Sequence, residues 1–323
     1  MTARTSRSPS ANRIINGMSL LRRSILVGMA AMCVLPATAT AATPPRILVH
    51  YDLAAGQQPE NVAVEPRGDL DVTLATALQV ERVTPQGERT PLATLPKPAD
   101  GGVHTPILGF PIATGIVRAR DGVLYVGYAS GDATLTGIWR VSPGIPPRRV
   151  IPFPANSFPN GMALTGDTLY VADSALGKIW RASVCGGEPT TWATGPALEA
   201  TSGFAANGLK IHNDAIWASN TTQGTLLRVP IRRDGSAGEI QPKATGLTAI
   251  DDFAFNGETV VAALNFPNQV ALVHSDGTTT TLLTGDNGLR GPTSVAVDHG
   301  HLYVMSASYI LQNDPNILVA DLP

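Results

Sequence analysis

Cysteine is nearly missing from this 323-residue chain: there are two, Cys33 and Cys185. Cys33 lies in an N-terminal segment read below as cleavable, so the remaining chain cannot close an intramolecular disulfide. Its stability must come from core burial or a bound ion. Cys185 sits before Gly186-Gly187 with no evident cation to lower its pKa, and reads as a buried structural thiol. Histidine is also scarce. The six (His50, His104, His212, His274, His299 and His301) are scattered without ligand spacing, which excludes a zinc centre. Charged residues make up 15% of the chain, and beyond residue 41 there is no basic run or basic-aromatic stretch. That excludes nucleic acid and anionic membrane as partners. Helical periodicity extends no further than "PALEATSG", residues 196–203, so an α/β barrel with its eight helices is excluded as well.

The first 41 residues differ from the rest. They hold five arginines (Arg4, Arg7, Arg13, Arg22, Arg23), no acid, and the apolar stretch "SILVGMAAMCVLPA", followed by Ala39-Thr40-Ala41. The apolar run is too short for a membrane span of about 20 residues, and the small-residue motif after it fits cleavage. We therefore expect an export signal over residues 1–41, with cleavage near Ala41 and an exported product (secreted, periplasmic or in the cell envelope) free of the membrane. Met18 is a second candidate start, and Arg22-Arg23 matches a twin-arginine signal only weakly. The Met before Cys33 argues against a lipoprotein anchor. Residues 42–323 carry 18 basic and 25 acidic side chains, a net charge of −7 with histidine neutral.

Within 42–323 a unit recurs six times: "PENVAVEPRGDLDVTLA", "ATGIVRARDGVLYVGYA", "PNGMALTGDTLYVADS", "ANGLKIHNDAIWASNT", "IDDFAFNGETVVAALN" and "PTSVAVDHGHLYVMSA". Each has a polar residue, an alternating apolar triplet, a Gly, Asp or Asn turn, and a second strand. The polar residues are Glu60, Thr114, Asn160, Asn207, Asp251 and Thr293, spaced by 54, 46, 47, 44 and 42. A third and a fourth short strand follow in most units. Four strands per period of about 47 residues describe one blade of a propeller, so we expect an all-β, six-bladed β-propeller of four-stranded antiparallel blades as a single domain over 42–323. The sixth unit has three strands, ending in "NILVADL". Residues 45–53, "PRILVHYDL", are expected to supply its fourth and close the ring, removing open sheet edges.

In a propeller the innermost strand of each blade begins at the rim of the central channel. The residue at its start can then face the axis, and all six here carry an oxygen acceptor. The Asn-Gly pairs at 160–161 and 207–208 thus read as channel ligand plus bare backbone rather than as hairpin turns, the glycines avoiding a Cβ clash beside the axis. Two carboxylates and two amides converging without His or Cys describe a hard-cation site. Ca2+, with 6 to 8 oxygens in loose geometry, suits it best, other divalent metals less so. The competing reading is that Asn160 and Asn207 only cap turns.

At these residues the chain resembles the six-bladed, calcium-dependent propeller superfamily that includes gluconolactonase and regucalcin (SMP-30), the paraoxonases and the strictosidine synthase-like proteins; "FPNGMAL" followed by "TLYVADS" is the most similar stretch. The resemblance implies that Glu60, Asn160, Asn207 and Asp251 bind an axial calcium, with Asp252 where the paraoxonase branch has a further Asn. In the gluconolactonase branch, Glu60, Asn160 and Asp251 satisfy the ligand pattern. Thr114 stands where paraoxonases carry a catalytic histidine. His104, ten residues upstream, is a candidate to reach the same face, or an ordinary loop histidine. No residue identifies itself with the glutamate acid of the strictosidine synthase-like proteins.

The implied activity is Ca2+-dependent hydrolysis of a lactone or ester, a small-molecule substrate, with the ion polarising the carbonyl and activating water. Asp252 is the candidate base or a further acceptor, and Glu60 could serve as ligand or base. Two alternatives stand beside hydrolysis. One is a cyclase or condensing enzyme whose cup is lined by Phe158, Phe204, Phe253 and Phe266. The other is a non-catalytic binding propeller of the NHL type, which "DTLYVADSALGKIWRA" also resembles.

Overall fold

The computed structural model describes residues 44–322; the expected export segment, 1–41, lies outside the described residues. Six four-stranded antiparallel sheets follow one another: blade 1 over 59–94, blade 2 over 112–152, blade 3 over 159–194, blade 4 over 206–244, blade 5 over 250–283 and blade 6 over 292–321. The sole helix among the described residues is a 3-10 turn, Gly285–Asn287. The stretch 196–203 forms turns and bends. Blade 6 takes its fourth strand from Arg46–His50, which pairs antiparallel with Asn316–Asp321, as the repeat count implied.

Each innermost strand packs against that of the next blade, and the first against the last, so the ring is closed. Alternating side chains on both faces of every sheet bury against the neighbouring blade. Six separate apolar clusters result, one per junction: Leu70, Val72 and Met305 between blades 6 and 1, for example, and Leu226, Ile250 and Phe253 between blades 4 and 5. The closing strand is also locked to blade 1. Tyr51 donates its hydroxyl to Glu81 Oε1 at 2.5 Å, Arg89 pairs with Glu81 at 2.9 Å, and the guanidinium lies 4.3 Å over the Tyr51 ring. Cys185, expected to be buried, is exposed: it sits in the turn that follows the Lys178–Ser183 strand, beyond the end of the sheet.

All six innermost strands slip register near the repeated polar position, between Pro59 and Asn61, Ala113 and Ile116, Pro159 and Met162, Ala206 and Leu209, Ile250 and Phe253, and Pro292 and Ser294. A bulge frees carbonyls from the ladder, and the next blade's carbonyl is met by a side chain at each junction. The donors run around the ring as Thr73 Oγ1 to Thr114 O, Thr114 Oγ1 to Pro159 O, Ser174 Oγ to Ala206 O, Ser219 Oγ to Asp251 O, Asn265 Nδ2 to Pro292 O, and Thr293 Oγ1 to Pro59 O, at 2.6–3.2 Å.

Candidate functional site

The bulges sort the six polar residues into two groups. Thr114 and Thr293 are spent on the junctions, their hydroxyls donated to the next blade. Neither lines the axial cavity, so the expected ring of six acceptors is a set of four. Glu60, Asn160, Asn207 and Asp251 all line one cavity of about 440 Å3 at the start of the inner strands. The Gly after each Asn explains the approach. A Cβ on Gly161 would sit 2.6 Å from Leu209 N, and one on Gly208 would sit 2.7 Å from the Asp252 Cα. Neither glycine has a positive φ. It is space rather than dihedral freedom that the Asn-Gly pairs require.

Glu60, Asn160 and Asn207 are nearly fully buried, and Asp251 is half-buried. The amide orientation follows from the network. Ser174 commits its hydroxyl proton to Ala206 O, so it can only accept from Asn160 Nδ2 (3.2 Å). Asn207 Nδ2 donates to Thr221 Oγ1 at 2.9 Å and to Asp251 Oδ1 at 2.8 Å. The amide oxygens of both Asn residues receive no donor from the described residues. Glu60 Oε2 accepts from the Tyr309 hydroxyl at 2.6 Å.

No Lys, Arg or His is among the cavity-lining residues. Burial pushes Glu60 up to about 7, with the Tyr309 hydrogen bond opposing and the Asp252 charge adding. Asp251 is held well above the usual carboxylate range by burial, then by the charges of Glu60 and Asp252, against the Asn207 hydrogen bond. Two carboxylates that repel each other, Glu60 buried and Asp251 half-buried, plus two amide oxygens without donors, fit a hard divalent cation: every ligand atom is oxygen, and a 2+ charge would relieve the repulsion. Among the described residues no three His, Cys, Asp or Glu side chains form a metal cluster, so the amides are essential to any such site.

Asp252 is placed elsewhere. It is buried, lines no cavity of the axis, and accepts from Lys210 Nζ at 2.6 and 2.7 Å, from Asn61 Nδ2 at 3.1 Å and from Phe253 N at 2.8 Å. A carboxylate neutralised by an ammonium and filled with donors is poorly placed to take a proton from water in the cavity. His104 is not brought to the site either: its imidazole is 77% exposed, 3.9 Å from Asp100, on the long connection between blades 1 and 2. Phe158, Phe204 and Phe266 line the cavity, the first two in an edge-to-face pair at 5.4 Å. Phe253 instead belongs to the core between blades 4 and 5, because the bulge turns Asp251, two residues earlier, toward the cavity.

Tyr309 was not singled out from the sequence, since it lies outside the repeat. The signal was a length. The connection between second and third strands has four residues in blades 1, 3, 4 and 5, seven in blade 2, and nine in blade 6, residues 307–315. The excess carries Tyr309, Ile310 and Gln312 into the cavity wall.

No family model matches the chain, and no curated protein matches it. Solved structures share its fold. A candidate gluconolactonase superposes with a TM-score of 0.61 at 14% identity, over 87% of this chain and 92% of its own. Virginiamycin B lyase from Staphylococcus aureus, in an inactive variant with quinupristin, gives 0.58 at 14% identity, over 86% and 100%. The PQQ-bound aldose sugar dehydrogenase from Streptomyces coelicolor gives 0.59 at 17% identity, over 87% and 98%.

Proposed function

We infer the function from the site rather than from the fold, because the six-bladed propeller is shared with a gluconolactonase candidate, a lyase and a dehydrogenase. We propose that the chain is an exported Ca2+-dependent hydrolase of a lactone or ester. The observation that supports this most is the placement of Glu60, Asp251, Asn160 and Asn207 on one cavity wall without a cationic side chain among its lining residues. Those four residues would hold the ion, which supplies polarisation of a carbonyl oxygen and a more acidic water. Asp252 is engaged by Lys210, Glu60 Oε2 by Tyr309 and Asp251 Oδ1 by Asn207, which leaves Glu60 Oε1 and Asp251 Oδ2 as the carboxylate oxygens on the cavity to receive the proton of the attacking water. Phe158, Phe204, Leu108, Ile112 and Ile310 offer an apolar wall that excludes water and packs the hydrocarbon part of the substrate. No lining cation would balance a substrate anion. The substrate class that fits is therefore a neutral, largely apolar lactone or ester.

The same aromatic wall supports a second reading, cyclisation or condensation of an apolar substrate at the cavity. Product analysis separates the two: hydrolysis consumes water and releases a titratable acid, whereas a cyclase yields an isomer and a condensing enzyme a joined product. The first test is the thermal midpoint of the purified protein in chelator and in Ca2+, followed by acid release from neutral lactones and esters. A calcium-induced rise and calcium-dependent acid release are expected. No shift, together with no bound metal on elemental analysis, overturns the proposal and favours a binding propeller.

A further inference from the structure

The nine-residue connection of blade 6 is built to hold one side chain still. Its base is fixed to the closing strand: Tyr51 N donates to Pro315 O at 2.8 Å, and His50 Nδ1 lies 2.6 Å from Asp314 Oδ1. Inside the loop Gln312 N donates to Ser308 O at 2.9 Å and Asn313 N to Ser308 Oγ at 2.9 Å. Ser308, Gln312 and Asp314 adopt left-handed φ values of 43–56° to make this compact path. The ring of Tyr309 packs against the apolar cluster of Ala75, Ile112, Ala129 and Phe158 that backs the cavity. Its hydroxyl then reaches from blade 6 to the first residue pair of blade 1 and meets Glu60 Oε2 at 2.6 Å.

Glu60 needs such an anchor. Its side chain has three rotatable torsions, it is buried, and no Lys or Arg side chain hydrogen-bonds to it. With Tyr309 on Oε2, the carboxylate plane is fixed and Oε1 stays open. We infer that Tyr309 is a positioning residue for the cation site, orienting the Glu60 carboxylate from a blade-6 insertion that the repeat does not contain. The inference rests on the reading of this cavity as an ion site. Losing an outer partner of a metal ligand commonly weakens binding 10- to 100-fold, and a loss of that size is expected for Tyr309→Phe.

The experiment is calorimetric titration of CaCl2 into the metal-free wild-type protein, Y309F and I310A. Ile310 shares the loop and lines the cavity but offers no hydroxyl. Expected is a fall in Ca2+ affinity of about 10- to 100-fold for Y309F and less than about threefold for I310A. Equal affinities for wild type and Y309F overturn the role of Tyr309 and leave the ion site standing. Equal losses in both variants assign the effect to loop packing and also overturn it. A wild-type protein that binds no Ca2+ removes both the ion site and this inference. A second readout uses the wild type alone, in case the variant is unstable: with the hydrogen bond kept, a cation on Oε1 draws charge from the carboxylate that accepts the Tyr309 hydroxyl, so Ca2+ should perturb the tyrosine near-ultraviolet absorption, and an unchanged spectrum overturns the inference.

Discussion

The cavity wall and the layer beneath it are built from adjacent residues of the same inner strands, yet their electrostatics are opposite. Glu60 and Asp251 face open space with amides for company. One residue on, Asp252 is bound by Lys210 and Asn61, and the equivalent positions of blades 2, 3 and 4 are Gly115, Gly161 and Gly208. At the far end of the strands a second cavity, of about 430 Å3, is lined by valines from three blades and by Lys210, whose ammonium is already spent on Asp252. Acids are compensated where the channel is packed and left uncompensated where it is open. A protein that needed these carboxylates only to fill a channel would have no reason to treat neighbours so differently.

The largest effect should come from breaking the packed layer. Gly161→Ala places a Cβ 2.6 Å from Leu209 N and 2.7 Å from the Gly208 Cα, backbone that cannot move without separating blades 3 and 4. A loss of about 4 kcal/mol or more in denaturant unfolding is expected. Gly166→Ala, at a φ of 55° with nothing within 4 Å, should cost only about 1 kcal/mol.

Next in size is the ion pair. Lys210→Met leaves Asp252 buried and unpaired, with an expected loss of about 3 kcal/mol. The double variant with Asp252→Asn should recover most of it, and failure to recover would show that Lys210 matters through its packing rather than its charge.

The open layer is probed by metal and by pH. At a free Ca2+ concentration 100 times Kd, the wild type should gain about 2.7 kcal/mol, and Asn160→Ala should abolish most of this. In the metal-free protein Glu60 has a folded pKa of about 7 against an ordinary value of 4.5. The folded state therefore binds more protons than the unfolded one, and stability present below pH 4.5 is lost as pH rises toward 7. Asp251 shifts in the same direction. The midpoint in chelator should drop by a few degrees between pH 5 and 7.5, and Glu60→Gln should flatten the curve. With Ca2+ present the trend reverses, because the ligands must be ionised to bind.

The repeat made much of this legible. Period and strand count led to six blades and to closure by the segment around Arg46–His50, and the polar position of each unit led to the four residues on the cavity wall. What the repeat could not convey was direction. A threonine hydroxyl serves equally as a cavity acceptor or as a donor to the next blade, and only the bulge decides that Thr114 and Thr293 do the second. Asp251 and Asp252 look equivalent in "IDDFAF", but successive side chains point apart, and the lysine that claims Asp252 lies 42 residues earlier on the neighbouring blade. Tyr309 was hidden for the opposite reason: it belongs to the part of the chain that does not repeat.

The smallest expected effect is also a test of the wall's boundary. His104 is the titratable side chain that the resemblance to paraoxonases would most readily place beside the ion, yet it points to solvent with Asp100 as its nearest charged partner. Histidine catalysis would demand hydrogen-bond reach of the reacting water, and a ring that is 77% exposed on a connection between blades does not meet it without a rearrangement of that connection. His104→Ala should therefore leave Ca2+ affinity and turnover within about twofold of wild type, since exposed substitutions away from a site rarely exceed about 0.5 kcal/mol. A hundredfold loss in kcat with unchanged affinity would mean that the part of the 95–111 connection around His104 swings toward the cavity that its Leu108 and Phe110 already line. The acid-lined wall would then be half of the site rather than the whole of it.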